Sequence, residues 1–180
     1  MNETVKHKLL PLSLTALVLL VDQGVKAFIV KNWPLEGSFI ADVFDNGFLY
    51  IIHVRNKAIA FSLGHNLPDK AQLVLFVIAP VLVLGFLFWY YLSSRDFTGP
   101  QRWAVAGILG GGLGNLADRI FRPGGVVDFV SVKFYGILGM DRFPTFNVAD
   151  SSIVVCCILF FITIMSAWRQ AEKQPKSESA

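Results

Sequence analysis

Four long and largely apolar stretches dominate the pattern of this 180-residue chain. They cover residues 9–30, 71–92, 103–120 and 150–168. Helices of these lengths would measure about 27 to 33 Å at 1.5 Å per residue, which matches the ~30 Å hydrocarbon core of a bilayer. The pattern therefore predicts an α-helical integral membrane protein with four transmembrane helices, folded as a single domain and ending in a flexible tail over residues 169–180.

The two long connections, residues 31–70 and 121–149, carry signals of β-structure. Residues 39–44 and 48–54 flank Asp45-Asn46-Gly47, which is a strong turn sequence. Residues 126–134 alternate enough in polarity to form a further strand. We therefore expect a small β-sheet or hairpin lying on the outer face of the membrane.

Composition supports a membrane protein and excludes several other classes. Hydrophobic residues make up 54% of the chain and charged residues 16%, against roughly 25% charged residues in soluble domains. The net charge of +3 does not indicate nucleic-acid binding, because the basic residues are few and flank the apolar stretches. With both termini in the cytoplasm, 7 basic residues fall in 30 inner positions and 7 in 69 outer positions. This twofold difference in density favours that orientation.

The first stretch contains two charged residues that need an explanation. A charge inside a membrane helix costs on the order of 3 kcal/mol, and Asp22 and Lys26 lie four residues apart on one helix face. They could form a structural ion pair that steadies the helix, or they could support a functional site. The sequence leaves both interpretations open.

The third stretch contains small and polar residues at helical spacing. Gly107, Gly111, Asn115 and Arg119 recur every four residues, and Gly110 and Gly114 form a second pair. Glycines at this spacing allow helices to approach closely. Asn115 and Arg119 either contribute to packing at the end of the helix or line a functional site.

Two aspartates beside the ends of the spans are the strongest candidates for chemistry. Asp128 lies among apolar residues, so its protonation should be easily perturbed. Asp150 opens the fourth span three residues after Asn147, a spacing that is also typical of a helix cap. If the two carboxyl groups came within ~3 Å they would share one proton. Such a pair can activate water and protonate a leaving amine, without a metal or cofactor.

Five short motifs occur in order and together resemble the lipoprotein signal peptidases (signal peptidase II) of bacteria. The first two are Asp-Gln-x-x-Lys from Asp22 and Asn-x-x-x-Ala-Phe from Asn56. The other three are Gly-Asn-x-x-Asp-Arg from Gly114, Val-Val-Asp-Phe from Val126 and Phe-Asn-x-Ala-Asp from Phe146. Each motif is weak alone. Their order and their placement against four spans make the resemblance specific, and it covers residues 20–168.

The resemblance implies an aspartic endopeptidase of the bacterial inner membrane, with its active site at the outer face. Its expected substrates are diacylglyceryl-modified prolipoproteins, cut just before the lipidated cysteine, and its expected partners are these substrates and membrane lipids, with no nucleic acid and no second subunit. The resemblance assigns Asp128 and Asp150 as the catalytic pair. It places four residues in the lining of the site, namely Asn56, Asn115, Arg119 and Asn147. It assigns Asp22 and Lys26 as supporting polar residues and places Phe61 in the outer cradle.

The chain departs from the family pattern at two places. Ala58 stands where the family commonly has glycine, and residues 133–144 form a longer connection that contains a third acid, Asp141. We expect Asp141 to be an exposed residue without a role in catalysis.

Two other functions remain as alternatives. A small transporter or channel could use Asp22, Lys26 and Arg119 as a relay, but it would spread polar residues through the membrane depth. An assembly factor could use the acids only as helix caps and interface groups. Substitution of Asp128 and Asp150 distinguishes both alternatives from a peptidase.

Overall fold

The computed structural model describes residues 7–56, 68–122 and 124–173. Phe61 and Ala58, which the sequence analysis singled out, lie outside this described part. The elements run in the order α1 (Leu12–Asn32), β1 (Phe39–Asp42), β2 (Leu49–Asn56), α2 (Asp69–Leu73), α3 (Ala79–Ser93), α4 (Gly99–Phe121), β3 (Val126–Val132) and α5 (Val148–Lys173).

Three helical segments of the described chain are long and apolar enough to cross a membrane. They are His7–Asn32, Lys70–Ser93 and Val148–Gln170, and they correspond to the first, second and fourth predicted spans. The second segment joins α2 to α3 through a π-helical turn at Val74–Ile78. Pro80 at the start of α3 explains this turn, because proline lacks the N–H that a regular helix would use there.

The third predicted span is a helix, α4, but it is not among these three apolar segments. It is 23 residues long, and α1, α3 and α5 all pack against it. A helix that is covered by other helices does not need an apolar surface, which explains its lower hydropathy. The described structure therefore contains three candidate spans around a more polar central helix, rather than four equally apolar ones.

Glycines on α4 make this close packing possible. A Cβ atom on Gly111 would lie 2.4 Å from the Ala149 carbonyl oxygen of α5. A Cβ atom on Gly110 would lie 2.9 Å from the Thr15 carbonyl oxygen of α1. These distances are shorter than any that real side chains tolerate, so the predicted role of these glycines in helix packing is confirmed.

The predicted β-structure is also confirmed. The strands form one antiparallel sheet in the order β1-β2-β3. The turn between β1 and β2 is held by the Asp42 carboxylate, which accepts a hydrogen bond of 2.6 Å from the Gly47 amide. Asp45 and Gly47 have positive φ angles of 53° and 75°, as an Asp-Asn-Gly turn predicts.

The sheet is fixed to the helices by a small apolar core. Ile29 of α1 packs against Val127 and Phe129 of β3, with Val148 at the start of α5 beside them. The sheet therefore lies across the end of α1 and the beginning of α5. At its other end α5 continues as helix through Lys173. The helix thus includes residues 169–173, the first part of the segment that the sequence analysis expected to be a tail.

Candidate active site

Asp150 is positioned by a reciprocal cap at the start of α5. The Asn147 side-chain oxygen accepts a hydrogen bond of 2.9 Å from the Asp150 backbone amide. The Asp150 Oδ2 atom in turn accepts one of 3.2 Å from the Asn147 backbone amide. The capping interpretation of this pair is thus confirmed. Because the cap fixes both side chains, it also fixes where the remaining polar atoms of Asn147 point.

The Asn147 amide nitrogen links this cap to the other aspartate. Asn147 is fully buried, and its Nδ2 atom donates to Asp128 Oδ1 at 2.7 Å and to Asn115 Oδ1 at 3.1 Å. Asn115 Nδ2 then donates to Asp150 Oδ1 at 2.7 Å. Two carboxylates that are 22 residues apart in the sequence are therefore joined through two asparagines.

Backbone pairing explains why Asp128 comes so close to Asn147. Phe146, the residue before Asn147, pairs with Val130 of β3 through hydrogen bonds of 2.8 and 3.0 Å. This bridge brings the end of the 133–146 connection back against the strand that carries Asp128. The two acids thus meet because the chain returns to β3 immediately before α5 begins.

Asp128 is almost completely removed from solvent, with 2% of its surface exposed. Its Oδ2 atom accepts a hydrogen bond of 3.0 Å from Asn56 Nδ2, at the end of β2. Burial raises the pKa of Asp128 to about 6, and the nearby Asp150 charge acts in the same direction. The Asn56 and Asn147 amides and the Lys26 charge oppose this rise in pKa. The predicted perturbation of this acid is confirmed.

A cleft opens next to Asn56, the side chain that donates to Asp128. It has a volume of about 180 Å³ and is lined by Asn56, Arg119, Gly124 and Gly125, and by residues of the helix on the opposite side, among them Gln72 and Phe76. Arg119 lies close enough to interact with the charges of both Asp128 and Asp150. The cleft therefore combines a polar wall next to the acids with an apolar wall from the second helical segment.

A buried ionic cluster lies directly behind the acids. Lys26 Nζ is 2.8 Å from Asp22 Oδ2 and 3.0 Å from Asp118 Oδ2, and all three side chains are fully buried. Lys26 also donates to Asn115 Oδ1 at 3.0 Å. The predicted ion pair of Asp22 and Lys26 is confirmed, and the Lys26 hydrogen bond to Asn115 places this pair next to the candidate site.

The two carboxylates of this cluster hold the backbone next to each site aspartate. Asp22 Oδ1 accepts from the Ala149 amide at 3.0 Å, immediately before Asp150. Asp118 Oδ2 accepts from the Val127 amide at 3.0 Å, immediately before Asp128. Each buried carboxylate therefore fixes the backbone amide of the residue that immediately precedes one site aspartate.

Sequence analysis did not identify Asp118 or Gln23 as part of this arrangement. Gln23 Nε2 donates to Asp118 Oδ1 at 3.0 Å, to the Gly114 carbonyl oxygen at 3.0 Å and to Asp22 Oδ2 at 3.1 Å. Asp118 also pairs with Arg122. The available signal was the helical spacing, since Asp118 follows Asn115 by three residues and Gly114 by four, which places all three on the side of α4 that meets α1.

A family profile described as signal peptidase (SPase) II matches residues 14–166 of this chain. The chain belongs to the signal peptidase II family. It is therefore a membrane aspartic peptidase, and the family resemblance of its motifs is confirmed.

Relatives in the signal peptidase II family cover most of the chain. The lipoprotein signal peptidase of Treponema pallidum (strain Nichols) is 39% identical over 170 residues, which are 94% of this chain and 90% of that protein. The lipoprotein signal peptidase of Treponema denticola is 48% identical over 155 residues, 85% of this chain and 87% of that protein. The enzyme of Borreliella burgdorferi (strain ZS7) is 44% identical over 135 residues, 75% of this chain and 78% of that protein.

Two solved structures of bacterial membrane enzymes share the fold. One has a TM-score of 0.72 at 26% sequence identity and covers 94% of this chain and 93% of its own. The other has a TM-score of 0.69 at 28% identity, with 86% and 91% covered. The arrangement of helices and sheet in this signal peptidase II is thus shared with experimentally determined membrane enzymes.

The structure gathers most of the residues predicted for the site. Six of them lie at one end of the helices and at the adjoining strand ends, namely Asn56, Asn115, Arg119, Asp128, Asn147 and Asp150. Asp22 and Lys26 lie behind them in the ionic cluster. Asp141 is exposed, as expected, and Phe61 is in the part of the chain that the structure does not describe.

Proposed function

We propose that this signal peptidase II removes the signal peptide from diacylglyceryl-modified prolipoproteins, with Asp128 and Asp150 as its catalytic pair. The observation that carries the proposal is the Asn147 side chain, which is capped onto Asp150 and donates to Asp128 at 2.7 Å. A capping asparagine alone would not need a second carboxylate at its amide. The names of the relatives, all lipoprotein signal peptidases, supply the substrate class.

The surroundings of the two acids suggest different roles for them. Asp128 is buried and has a pKa raised to about 6, so it is suited to hold a proton that it can donate to a carbonyl oxygen. Asp150 is half-buried at a helix N-terminus and accepts hydrogen bonds from two N–H donors. Its partial exposure allows water to reach it, and its carboxylate is placed to accept a proton from that water. We therefore assign Asp128 as the initial acid and Asp150 as the initial base.

The reaction then proceeds in two proton-coupled steps. Asp150 takes a proton from water while the water oxygen attacks the scissile carbonyl carbon, and Asp128 protonates the carbonyl oxygen. In the second step Asp150 gives its proton to the amide nitrogen, the C–N bond breaks, and Asp128 recovers its proton from the collapsing hydroxyl. The products are a signal peptide with a new carboxyl group and a lipoprotein that begins with a free cysteine amine.

The supporting residues follow from their contacts. Asn56 and Asn147 hold the two oxygens of Asp128, and Asn115 holds Asp150. Arg119, on the wall of the cleft and near both acids, is placed to offset negative charge that develops on the substrate. Asp22 and Lys26 keep α1, α4 and α5 in register, and we assign Phe61 to the outer cradle by resemblance alone.

The placement of the site is consistent with a lipid-anchored substrate. We propose that α4 is the fourth membrane span, that both termini face the cytoplasm, and that the chain acts as a monomeric single-domain enzyme of the bacterial inner membrane. The acids would then lie at the outer boundary of the bilayer. Acyl chains on the substrate cysteine could remain in the bilayer while the scissile amide reaches the cleft from the side, where water is also available.

Substitution of each acid tests the proposal. The expected result is that Asp128→Asn and Asp150→Asn each abolish cleavage of a lipidated precursor, measured by gel shift with protein purified in detergent. The matched control is Asp141→Asn, which removes an exposed carboxylate from the same connection and should cleave at the wild-type rate. Both active-site variants should elute as wild type on size exclusion, and wild-type turnover in either of them would refute the assignment.

A further inference from the structure

Two hairpin tips meet at the end of the sheet that is remote from the active site. One is the β1–β2 turn, and the other is an extension of β3 over residues 133–142, closed by a bridge between Lys133 and Arg142. The two tips contact each other, because the Lys133 amide donates to the Phe48 carbonyl oxygen at 2.8 Å. Asn56 lies at the opposite end of β2, eight residues after Phe48, and an extended strand of that length spans about 26 Å at ~3.3 Å per residue.

Arg142 joins these tips into one unit. Its Nε and Nη2 atoms donate to the side chain and backbone of Ser131 at 2.7 Å each. Its Nη1 atom donates to the Gly47 carbonyl oxygen in the β1–β2 turn at 3.0 Å. The guanidinium group also lies 3.8 Å from the centre of the Tyr50 ring. One side chain thus bridges β2, β3 and both tips.

The joined tips present large apolar side chains away from the protein. We call this surface the tip patch, and it consists of Val43, Phe44, Phe48, Tyr135, Ile137 and Leu138. The exposed fraction is 85% for Leu138, 67% for Tyr135 and 57% for Phe44. Exposed apolar surface of this kind marks an interaction site when it is contiguous.

The backbone of the extension is strained at two residues of the tip patch. Tyr135 and Leu138 have φ angles of 54° and 55°, a region that bulky residues rarely adopt. Gly136 and Gly139, beside them, have φ angles of 80° and 77°. Strain of this type persists where the surrounding structure enforces it and commonly marks a functional segment.

The exposed apolar residues along the chain between the first span and the tips, and a lysine beside an aromatic ring at the tips, point to the bilayer as the occupant. Along the chain, Phe28 in α1 is 58% exposed, Leu35 in the connection to the sheet 75%, and Phe39 at the start of β1 58%. The Lys133 ammonium group lies 5.4 Å from the centre of the Tyr135 ring. An aromatic ring beside a lysine is typical of the membrane–water interface, where the ring enters the bilayer and the charge reaches the headgroups.

We propose that the tip patch inserts into the leaflet of the bilayer that faces the sheet. It thereby anchors the sheet to the bilayer at a second point. The first point is the end of α1, where the sheet packs on Ile29. Anchoring at both ends fixes the height of β2 and β3 above the membrane, and these strands carry Asn56 and Asp128 at their other end. The proposal rests on the membrane location of the chain and not on the identity of the catalytic pair.

A fluorescence measurement on the full chain tests the insertion. Cys156 and Cys157 of α5 are replaced by alanine, a single cysteine is introduced by Leu138→Cys, and it is labelled with an environment-sensitive fluorophore. The protein is reconstituted at one chain per nanodisc in phosphatidylcholine and phosphatidylglycerol. The matched control is Asp141→Cys in the same background, an exposed polar position in the same extension.

The label at residue 138 should emit at shorter wavelength than the label at residue 141. Compared with the label at residue 141, the label at residue 138 should be quenched severalfold more strongly by lipids with a nitroxide on the acyl chain. It should be quenched severalfold less by aqueous iodide. Equal iodide quenching at both positions, with no quenching by the nitroxide lipids, would overturn the proposal. A blue shift that appears only at two chains per nanodisc would also overturn it and would assign the tip patch to contact with a second copy.

Discussion

The Asp22 carboxylate accepts a hydrogen bond of 3.0 Å from the Ala149 amide, which lies 127 residues later in the chain. This contact ties the first helix to the backbone of the residue that precedes Asp150. Asp22 is at the same time 2.8 Å from the Lys26 ammonium group, and both side chains are fully buried. Removing this carboxylate would therefore leave a buried cation with fewer partners and a buried amide with none among the described residues.

Asp22→Ala should both destabilise the protein and reduce catalysis. Breaking a buried ion pair costs about 3–5 kcal/mol, so the thermal midpoint in detergent should fall by many degrees. Asp22→Asn keeps an oxygen that can accept from the Ala149 amide, and it should retain more activity than Asp22→Ala at a temperature where both are folded. Equal activities of the two variants would show that orientation of Asp150 through Ala149 is unimportant.

Gly114→Ala tests the close approach of α4 to the ionic cluster. The new Cβ atom would lie 2.6 Å from Asp22 Oδ2 and 3.2 Å from the Ala149 Cβ atom. Overpacking of this kind costs about 1–3 kcal/mol, and here it would push the cluster away from α5. We expect a loss of cleavage of at least tenfold, measured with a lipidated precursor.

Gly24→Ala is the matched control for this substitution. Gly24 is also in a helix, but a Cβ atom there would meet nothing within 4 Å. Alanine favours a helix interior over glycine by up to ~1 kcal/mol, so this variant should be as active as wild type and no less stable. A similar loss of cleavage in both variants would contradict the account of Gly114.

The pH dependence of kcat/KM should report the proton on Asp128. Burial raises the pKa of Asp128 to about 6, so the protonated acid that the mechanism needs becomes scarcer as the pH rises through this value. We therefore expect kcat/KM to fall on the alkaline side of about pH 6. The Asn56 amide stabilises the ionised form and so lowers this pKa.

Asn56→Ala should consequently move the alkaline limb of the profile to higher pH, whatever its effect on the maximum rate. The profile of Asp141→Asn should superimpose on that of wild type. A shift of the limb to lower pH in Asn56→Ala would contradict the assignment of the alkaline limb to Asp128.

The mechanism uses only protein carboxyl groups and water, so cleavage should survive exhaustive treatment with a chelator. Activity is measured before and after dialysis against EDTA, with the lipidated precursor in both cases. Loss of cleavage that returns when zinc is added would show that a metal takes part in the reaction.

Lateral docking of the substrate predicts a strong preference for lipidated precursor. Acyl chains contribute about 0.8 kcal/mol per buried methylene, so a precursor without the diacylglyceryl group should show a much larger KM. The comparison uses the same precursor with and without lipid at equal detergent concentration. Equal kcat/KM for the two forms would contradict docking through the bilayer.

The sequence predicted the elements well because their signals are local. The apolar stretches defined the helices, and Asp45-Asn46-Gly47 located the hairpin that Asp42 and Gly47 close in the structure. The spacing of Asn147 and Asp150 predicted a helix cap, which the structure confirms. Each of these features depends on residues that are close together along the chain.

The connections between elements could not be predicted in the same way. Asp118 appeared only as the aspartate of the motif that begins at Gly114, yet it binds Lys26 of α1 and the Val127 amide of β3. The second function of Asn147, as a donor to Asp128, depends on the pairing of Phe146 with Val130. Such contacts arise from the tertiary packing, which no local pattern specifies.

The central claim is that Asp128 and Asp150 act as one electrostatically coupled pair with the resting proton on Asp128, and infrared titration of the protonated carboxyl band tests it most directly. In wild type, the component of this band that belongs to Asp128 should titrate with a midpoint near the Asp128 pKa of about 6. This component should be absent in Asp128→Asn. In Asp150→Asn the midpoint should move to lower pH, because the Asp150 charge raises the pKa of Asp128. A midpoint that is the same in wild type and Asp150→Asn would contradict the claim.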